Sequence, residues 1–86
     1  MSRPIIVIGD SISHGGSVVG GSPATDIEGR QVARLGDPVA CRKCGPTRIA
    51  SGDPGVIVDG MPVARHGDRT ACGATLIASQ ATTTIG

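Results

Sequence analysis

Residues 52–72 read GDPGVIVDGMPVARHGDRTAC, and residues 21–41 read GSPATDIEGRQVARLGDPVAC. Set one beneath the other at an offset of 31, the two stretches are identical at ten of 21 positions: Gly21/Gly52, Pro23/Pro54, Gly29/Gly60, Val32/Val63, Ala33/Ala64, Arg34/Arg65, Gly36/Gly67, Asp37/Asp68, Ala40/Ala71 and Cys41/Cys72. Self-similarity at a fixed period is the mark of a fold assembled from copies of one unit, each covering its neighbour's apolar face. A weaker third copy stands at the N-terminus. There Pro4-Ile5-Ile6-Val7-Ile8-Gly9-Asp10 aligns with Pro62-Val63-Ala64-Arg65-His66-Gly67-Asp68, and His14 follows its Asp by four residues as Cys41 and Cys72 do. Three Gly-Asp turns thus each deliver one metal-ligand side chain.

Within each clear copy an acidic residue and a Gly separate two apolar runs. Glu28-Gly29 divides Thr25–Ile27 from Gln31–Leu35, and Asp59-Gly60 divides Val56–Val58 from Met61–Val63. Gly takes the positive φ that a two-residue hairpin turn needs, so each reads as a hairpin tip. Ile5–Ile8 is β-branched throughout and reads as a strand entering the Gly9-Asp10 turn. Only Ala74–Thr84 escapes Gly and Pro long enough for a helix, and it carries no amphipathic pattern. Leu76-Ile77-Ala78-Ser79 matches Arg48-Ile49-Ala50-Ser51, the return strand of the middle unit. Gln80–Gly86 then supplies the first half of a hairpin whose second half is Pro4–Asp10. The expectation is an all-β chain, one domain over residues 1–86, whose paired termini close three units into a ring with pseudo-threefold symmetry and no free edge.

The composition says what such a ring lacks. None of the 86 residues is aromatic, so Val, Ile, Leu, Ala and Met alone make the core, and a staple such as a metal is expected. A net charge of +1, with Arg42-Lys43 the one adjacent basic pair, argues against nucleic acid or anionic lipid as an electrostatic partner. No apolar run approaches the roughly 18 residues of a membrane-spanning helix. Met1-Ser2-Arg3-Pro4 lacks the apolar segment of a secretory signal, which implies synthesis in the cytoplasm. Three Cys there fit a metal site better than a disulfide framework.

His14, Cys41, Cys44, His66 and Cys72 are all the His and Cys of the chain. A lone Cys is usually a small buried side chain; five such residues beside repeated turns indicate a shared purpose. One structural Zn²⁺, held tetrahedrally by four thiolate or imidazole groups, accounts for them. By symmetry His14, Cys41 and Cys72 converge on the axis. The fourth ligand is His66 or Cys44, and the repeat favours His66, because Cys44 belongs to an insertion, Arg42-Lys43-Cys44, with no counterpart. The Cys41-x-x-Cys44 spacing is that of a zinc knuckle and keeps the alternative open. The same pair reads poorly as a redox motif without a βαβ setting. Asp10, Ser11, Ser13 and His14 crowd one turn with no oxyanion-hole motif, which speaks against a hydrolase. Asp10, Asp37 and Asp68 read as caps for turn N–H groups through Asx-type hydrogen bonds.

Pro62-Val63-Ala64-Arg65 and Gln31-Val32-Ala33-Arg34, each followed by x-Gly-Asp, resemble the Pro-Ala-Ala-Arg motif that names the PAAR-repeat family. Ser13-His14-Gly15-Gly16, Cys41-Arg42-Lys43-Cys44-Gly45 and Thr70-Ala71-Cys72-Gly73-Ala74 match that family's turns, so the resemblance covers nearly the whole chain. It implies a small cone of short β-hairpins with a zinc near the apex. Such a cone caps the trimeric VgrG spike of a type VI secretion system by its broad base, punctures the target-cell membrane with its point, carries effectors with it, and leaves the cell by that route. The sequence departs from the motif at Gln31-Val32, and at Cys44, where many members have His. A chain of this length leaves no room for a toxin domain, so a structural protein is implied and an enzyme is not. The alternative is a free-standing zinc-binding interaction module, for which the expected Lys and Arg clustering is missing.

Overall fold

The Gly-Asp turn bends the chain in the same way three times. Val7 N donates to Asp10 Oδ2 at 2.9 Å, Arg34 N to Asp37 Oδ2 at 2.7 Å, and Arg65 N to Asp68 Oδ2 at 2.8 Å. The backbone closes the same turns, with the N–H of each Asp donating to the carbonyl of Val7, Arg34 or Arg65. The intervening Gly9, Gly36 and Gly67 have φ of 91°, 87° and 92°, a region that side chains with a Cβ enter only at a cost. The aspartates are therefore the caps that the repeat implied.

The computed structural model describes residues 3–27 and 29–79 and the backbone of 84–85; Glu28, at the first expected hairpin tip, and most of Gln80–Gly86 lie outside the described residues. All described elements are strands. Just before the turns, one peptide from each unit meets the other two. Ile6 N donates to Ala64 O at 3.0 Å, Ala64 N to Ala33 O at 3.0 Å, and Ala33 N to Ile6 O at 2.9 Å. Single bridges flank this triangle, Ile5 to Arg65, Val32 to Val7 and Val63 to Arg34. The expected strand over Ile5–Ile8 is thus not a regular ladder, because each central peptide is shared between both neighbours around the axis. The regular strand is β1, Arg3–Pro4.

Beyond the turns lie β2 (Ser11–Ile12), β3 (Gly16–Val18), β6 (Pro38–Cys41), β7 (Gly45–Arg48) and β10 (Leu76–Ile77), in the order β10-β2-β3-β6-β7. Bridges from Ile49 to Thr70 and from Arg69 to Thr75, with Ala71 N donating to Arg48 O, carry the pairing from β7 back to β10. Among the described residues this ring of strands is closed. Val18, Ile49 and Leu76 hold equivalent places: their N–H groups donate to the carbonyls of Asp10, Asp37 and Asp68, and their carbonyls accept from Gly9, Gly36 and Gly67. All three are at most 2% exposed, and each buried side chain contributes about 1.5–3 kcal/mol. Leu76 rather than Ile77 therefore takes the place of Ile49. This corrects the sequence alignment by one residue, which on a strand turns Ile77 outward, where it is 40% exposed.

On the other side of the triangle are the hairpins. β4 (Asp26–Ile27) pairs with β5 (Arg30–Gln31), and β8 (Asp53–Val58) with β9 (Met61–Val63). The termini close the set as expected: β1 runs antiparallel to β11 (Thr84–Ile85), Arg3 opposite Ile85. Successive side chains of the central segments alternate between two apolar clusters. Ile6, Ala33 and Ala64 join Ile12, Val18, Val39, Cys41, Ile49 and Leu76, with Cys72 packed against them. Ile5, Val7, Val32 and Val63 form the second cluster, covered by Ile27, Val56 and Val58 of the hairpins. The result is a small β cone, 29 × 26 × 23 Å, with hairpins at one end and His14 and the three Cys at the other.

Candidate metal centre

Three equivalent bends carry His14, Cys41 and Cys72 to the axis. Cys41 ends β6, where it pairs with Gly45 of β7 on one side and Gly16 of β3 on the other. Gly16 has φ of 115°, and a Cβ there would come within 1.9 Å of Ala40 O, so only glycine lets β3 approach this closely. The middle unit is longer. Between Asp37 and Ile49 it spans 12 residues where Asp10–Val18 and Asp68–Leu76 span 8, and the extra length includes the Arg42-Lys43-Cys44 loop.

The ligand-type atoms of His14, Cys41, Cys44 and Cys72 all lie within 4.8 Å of one another. Cys72 Sγ is 3.7 Å from Cys41 Sγ and 4.0 Å from His14 Nδ1. A tetrahedral metal with bonds of about 2.3 Å to sulfur sets its ligand atoms about 3.8 Å apart. The spacing and the donor types both fit a metal, and three sulfurs with one imidazole suit a soft or borderline ion rather than magnesium or calcium. Cys44 N also donates to Cys41 Sγ at 3.4 Å, which folds the loop over the sulfur that precedes it.

His66, the residue favoured by the repeat for the fourth position, is placed elsewhere. It is exposed, and its Nδ1 accepts from Ala78 N at 3.0 Å. The repeat puts His66 just before its Gly-Asp turn, whereas the inserted loop of the middle unit brings Cys44 beside His14, Cys41 and Cys72.

Thr70 is a contributor that the sequence reading missed. It is 3% exposed, and its Oγ1 lies 3.1 Å from Cys72 Sγ while accepting from Ala74 N at 3.1 Å. The hydroxyl, donating to the sulfur, is the main cause that holds the Cys72 thiol down to about 6. The Cys44 thiol, which shares its proton with Cys72 Sγ, is pushed up to about 11. The signal was present in the repeat: Thr70 stands where the other units have Ile12 and Val39.

Arg34 and Arg65 take no part in this cluster. Arg34 grips Asp37 through Nε at 3.0 Å and Nη2 at 3.0 Å and reaches Asp59 of the second hairpin at 3.1 Å. Arg65 pairs with Asp68 at 3.3 Å and Asp53 at 3.8 Å. The motif arginine thus ties the turn to the hairpin end.

Among the described residues no helix is long and apolar enough to cross a membrane. Comparison with curated proteins gives no match. The family model described as the PAAR motif matches residues 8–78, a span that contains all three Gly-Asp pairs and the whole His and Cys cluster. On that match the chain belongs to the PAAR-repeat family of type VI secretion spike tip proteins.

Proposed function

We propose that the chain, with residues 1–86 acting as one unit, caps the trimeric VgrG spike of a type VI secretion system, and that its cluster holds one Zn²⁺ as a structural ion. The observation that carries the reading is the closed triangle of Ile6, Ala33 and Ala64 hydrogen bonds. A trimer ends in three equivalent surfaces, and a single chain can satisfy all of them only by presenting three similar faces. The hairpin end offers such faces, while the metal end points outward as the tip that punctures the target membrane. Zinc would cross-link the three units and the loop at the narrow end, where small aliphatic side chains alone bury little area. Under this reading the protein starts in the cytoplasm, leaves with the spike, carries effectors as cargo and catalyses no reaction.

Ile57 gives the test, because it is 52% exposed on β8 whereas its neighbours Val56 and Val58 pack against the second cluster. Among the described hairpin residues, Ile57 can therefore meet a partner without leaving the core. Ile57→Glu is expected to lose binding to the purified spike trimer while keeping zinc content and melting temperature. Unchanged spike affinity in this variant would refute docking through the hairpin end. Elemental analysis of protein purified without chelator tests the ion, with about one zinc per chain expected.

A further inference from the structure

Three thiols converge at the tip, and their surroundings differ. Cys41 is 5% exposed, Cys72 is half-buried and Cys44 is exposed; none is in a disulfide. Cys41 Sγ and Cys72 Sγ lie 3.7 Å apart. They occupy the same place in two repeats, 31 residues apart, so a bond between them would join the second and third units across the axis. Cys44 sits in the same chain turn as Cys41, and a bond between those two would join nothing that the backbone does not already hold.

We propose that Cys41 and Cys72 are a reversible oxidation site, at which hydrogen peroxide converts the two thiolates to a disulfide and displaces the metal ion. The half-buried Cys72 sulfur attacks the peroxide O–O bond and takes one oxygen as a sulfenic acid, and the other oxygen leaves as water after gaining a proton. The Cys41 thiolate then attacks the Cys72 sulfur, the S–S bond forms, and the sulfenic oxygen leaves as a second water. Two electrons pass from the thiolates to the peroxide, and two protons are consumed. The sulfurs need to close from 3.7 Å to about 2.05 Å. The oxidised tip exchanges a metal cross-link for a covalent one that closes a long loop and so restricts the unfolded chain. Dithiols reverse the step by exchange.

The sequence makes the test direct, because trypsin places the three cysteines on three different peptides: residues 35–42, 44–48 and 70–86. Metal-loaded protein is treated with hydrogen peroxide, alkylated, digested and analysed by mass spectrometry. The expected product is peptide 35–42 joined to peptide 70–86, about 2 Da lighter than the sum of the two thiol forms, with Cys44 alkylated. It should form in the monomer, be reversed by dithiothreitol, and accompany release of the ion to a chromogenic chelator. Cys44→Ser should give the same linked pair. A disulfide that includes Cys44, sulfinic acid on Cys41 or Cys72 without cross-linking, a link found only between molecules, or thiols unchanged by peroxide would each overturn the assignment.

Discussion

At the hairpin end two of the three repeats solve one problem with the same parts, whereas at the metal end one repeat does what the others do not. Arg34 and Arg65 each clamp the aspartate of their own turn and reach a hairpin aspartate, Asp59 or Asp53. The first unit has Val7 in that place, buried with Ile5, Val32 and Val63, and its Asp10 is met instead by Arg30 of the first hairpin at 3.9 Å. The metal end tolerates no such freedom. Its three bends bring His14, Cys41 and Cys72 together, and Cys44 joins them from a loop that lengthens the middle unit. Repetition builds a threefold frame, and a tetrahedral centre requires that one repeat break the symmetry.

Removing the metal should give the largest effect and confine it to one end. If the ion is bound about a thousandfold above its dissociation constant, its loss removes about 4 kcal/mol, which for a domain of this size lowers the melting temperature by on the order of 20 °C. Amide exchange on the chelated protein should rise first at Cys41–Gly45 and Thr70–Ala74, and uniform loosening of both ends would contradict the division. Gly16→Ala should come next. The added Cβ meets Ala40 O and the φ of 115° is unfavourable, so about 2–3 kcal/mol of stability and some metal affinity should go together in denaturant and metal titrations. A variant with unaltered metal affinity would show that β3 does not position Cys41.

A smaller contrast separates the two candidates for the fourth ligand. His66→Ala deletes the acceptor for Ala78 N and should cost about 1 kcal/mol or less, with metal content unchanged. Cys44→Ser should barely alter the fold yet weaken metal affinity by at least about tenfold in a competition assay. The reverse pattern would return the fourth position to His66. The smallest effect concerns pH in the metal-free protein. Cys72 has a folded-state value near 6, below the ordinary 9.0, so its contribution is fully present above pH 9 and is lost as pH falls through 6. Cys44 is raised to about 11, so its contribution is present below pH 9 and is lost as pH rises through 11. The stability difference between wild type and Cys72→Ser, followed by urea titration, should therefore shrink from pH 9 to pH 6.

Much of this was legible because it follows from local rules applied three times. The offset between Gly21–Cys41 and Gly52–Cys72 announces the repeat, Glu28-Gly29 and Asp59-Gly60 announce the hairpins, and the incomplete units at the two ends announce β1 pairing with β11. What escaped the sequence was set by geometry rather than by pattern. A repeat alignment ranks residues by symmetry and so prefers His66, whereas the residue that lies with His14, Cys41 and Cys72 is Cys44, from the insertion. The one-residue shift at Leu76 depends on which side chain the closed ring turns inward, and Ile49 resembles Ile77 more than Leu76 in the letters alone. Thr70 looked like a turn residue until its hydroxyl was seen between Ala74 N and Cys72 Sγ.

The triangle of backbone hydrogen bonds bears on how the chain folds. Its Ile6–Ala64 side joins residues 58 apart in sequence, and no two of its sides can be formed without bringing segments from the beginning, middle and end of the chain together. Closing loops of that length costs entropy before any of the three bonds is made, which places the protein among slow folders for its size. A fragment of one or two repeats would hold an open arc with unpaired central peptides, so folding should be all-or-none. A nascent chain would stay unfolded until its last strand emerged, and a ring cut open between repeats and rejoined at its adjacent termini should fold to the same structure.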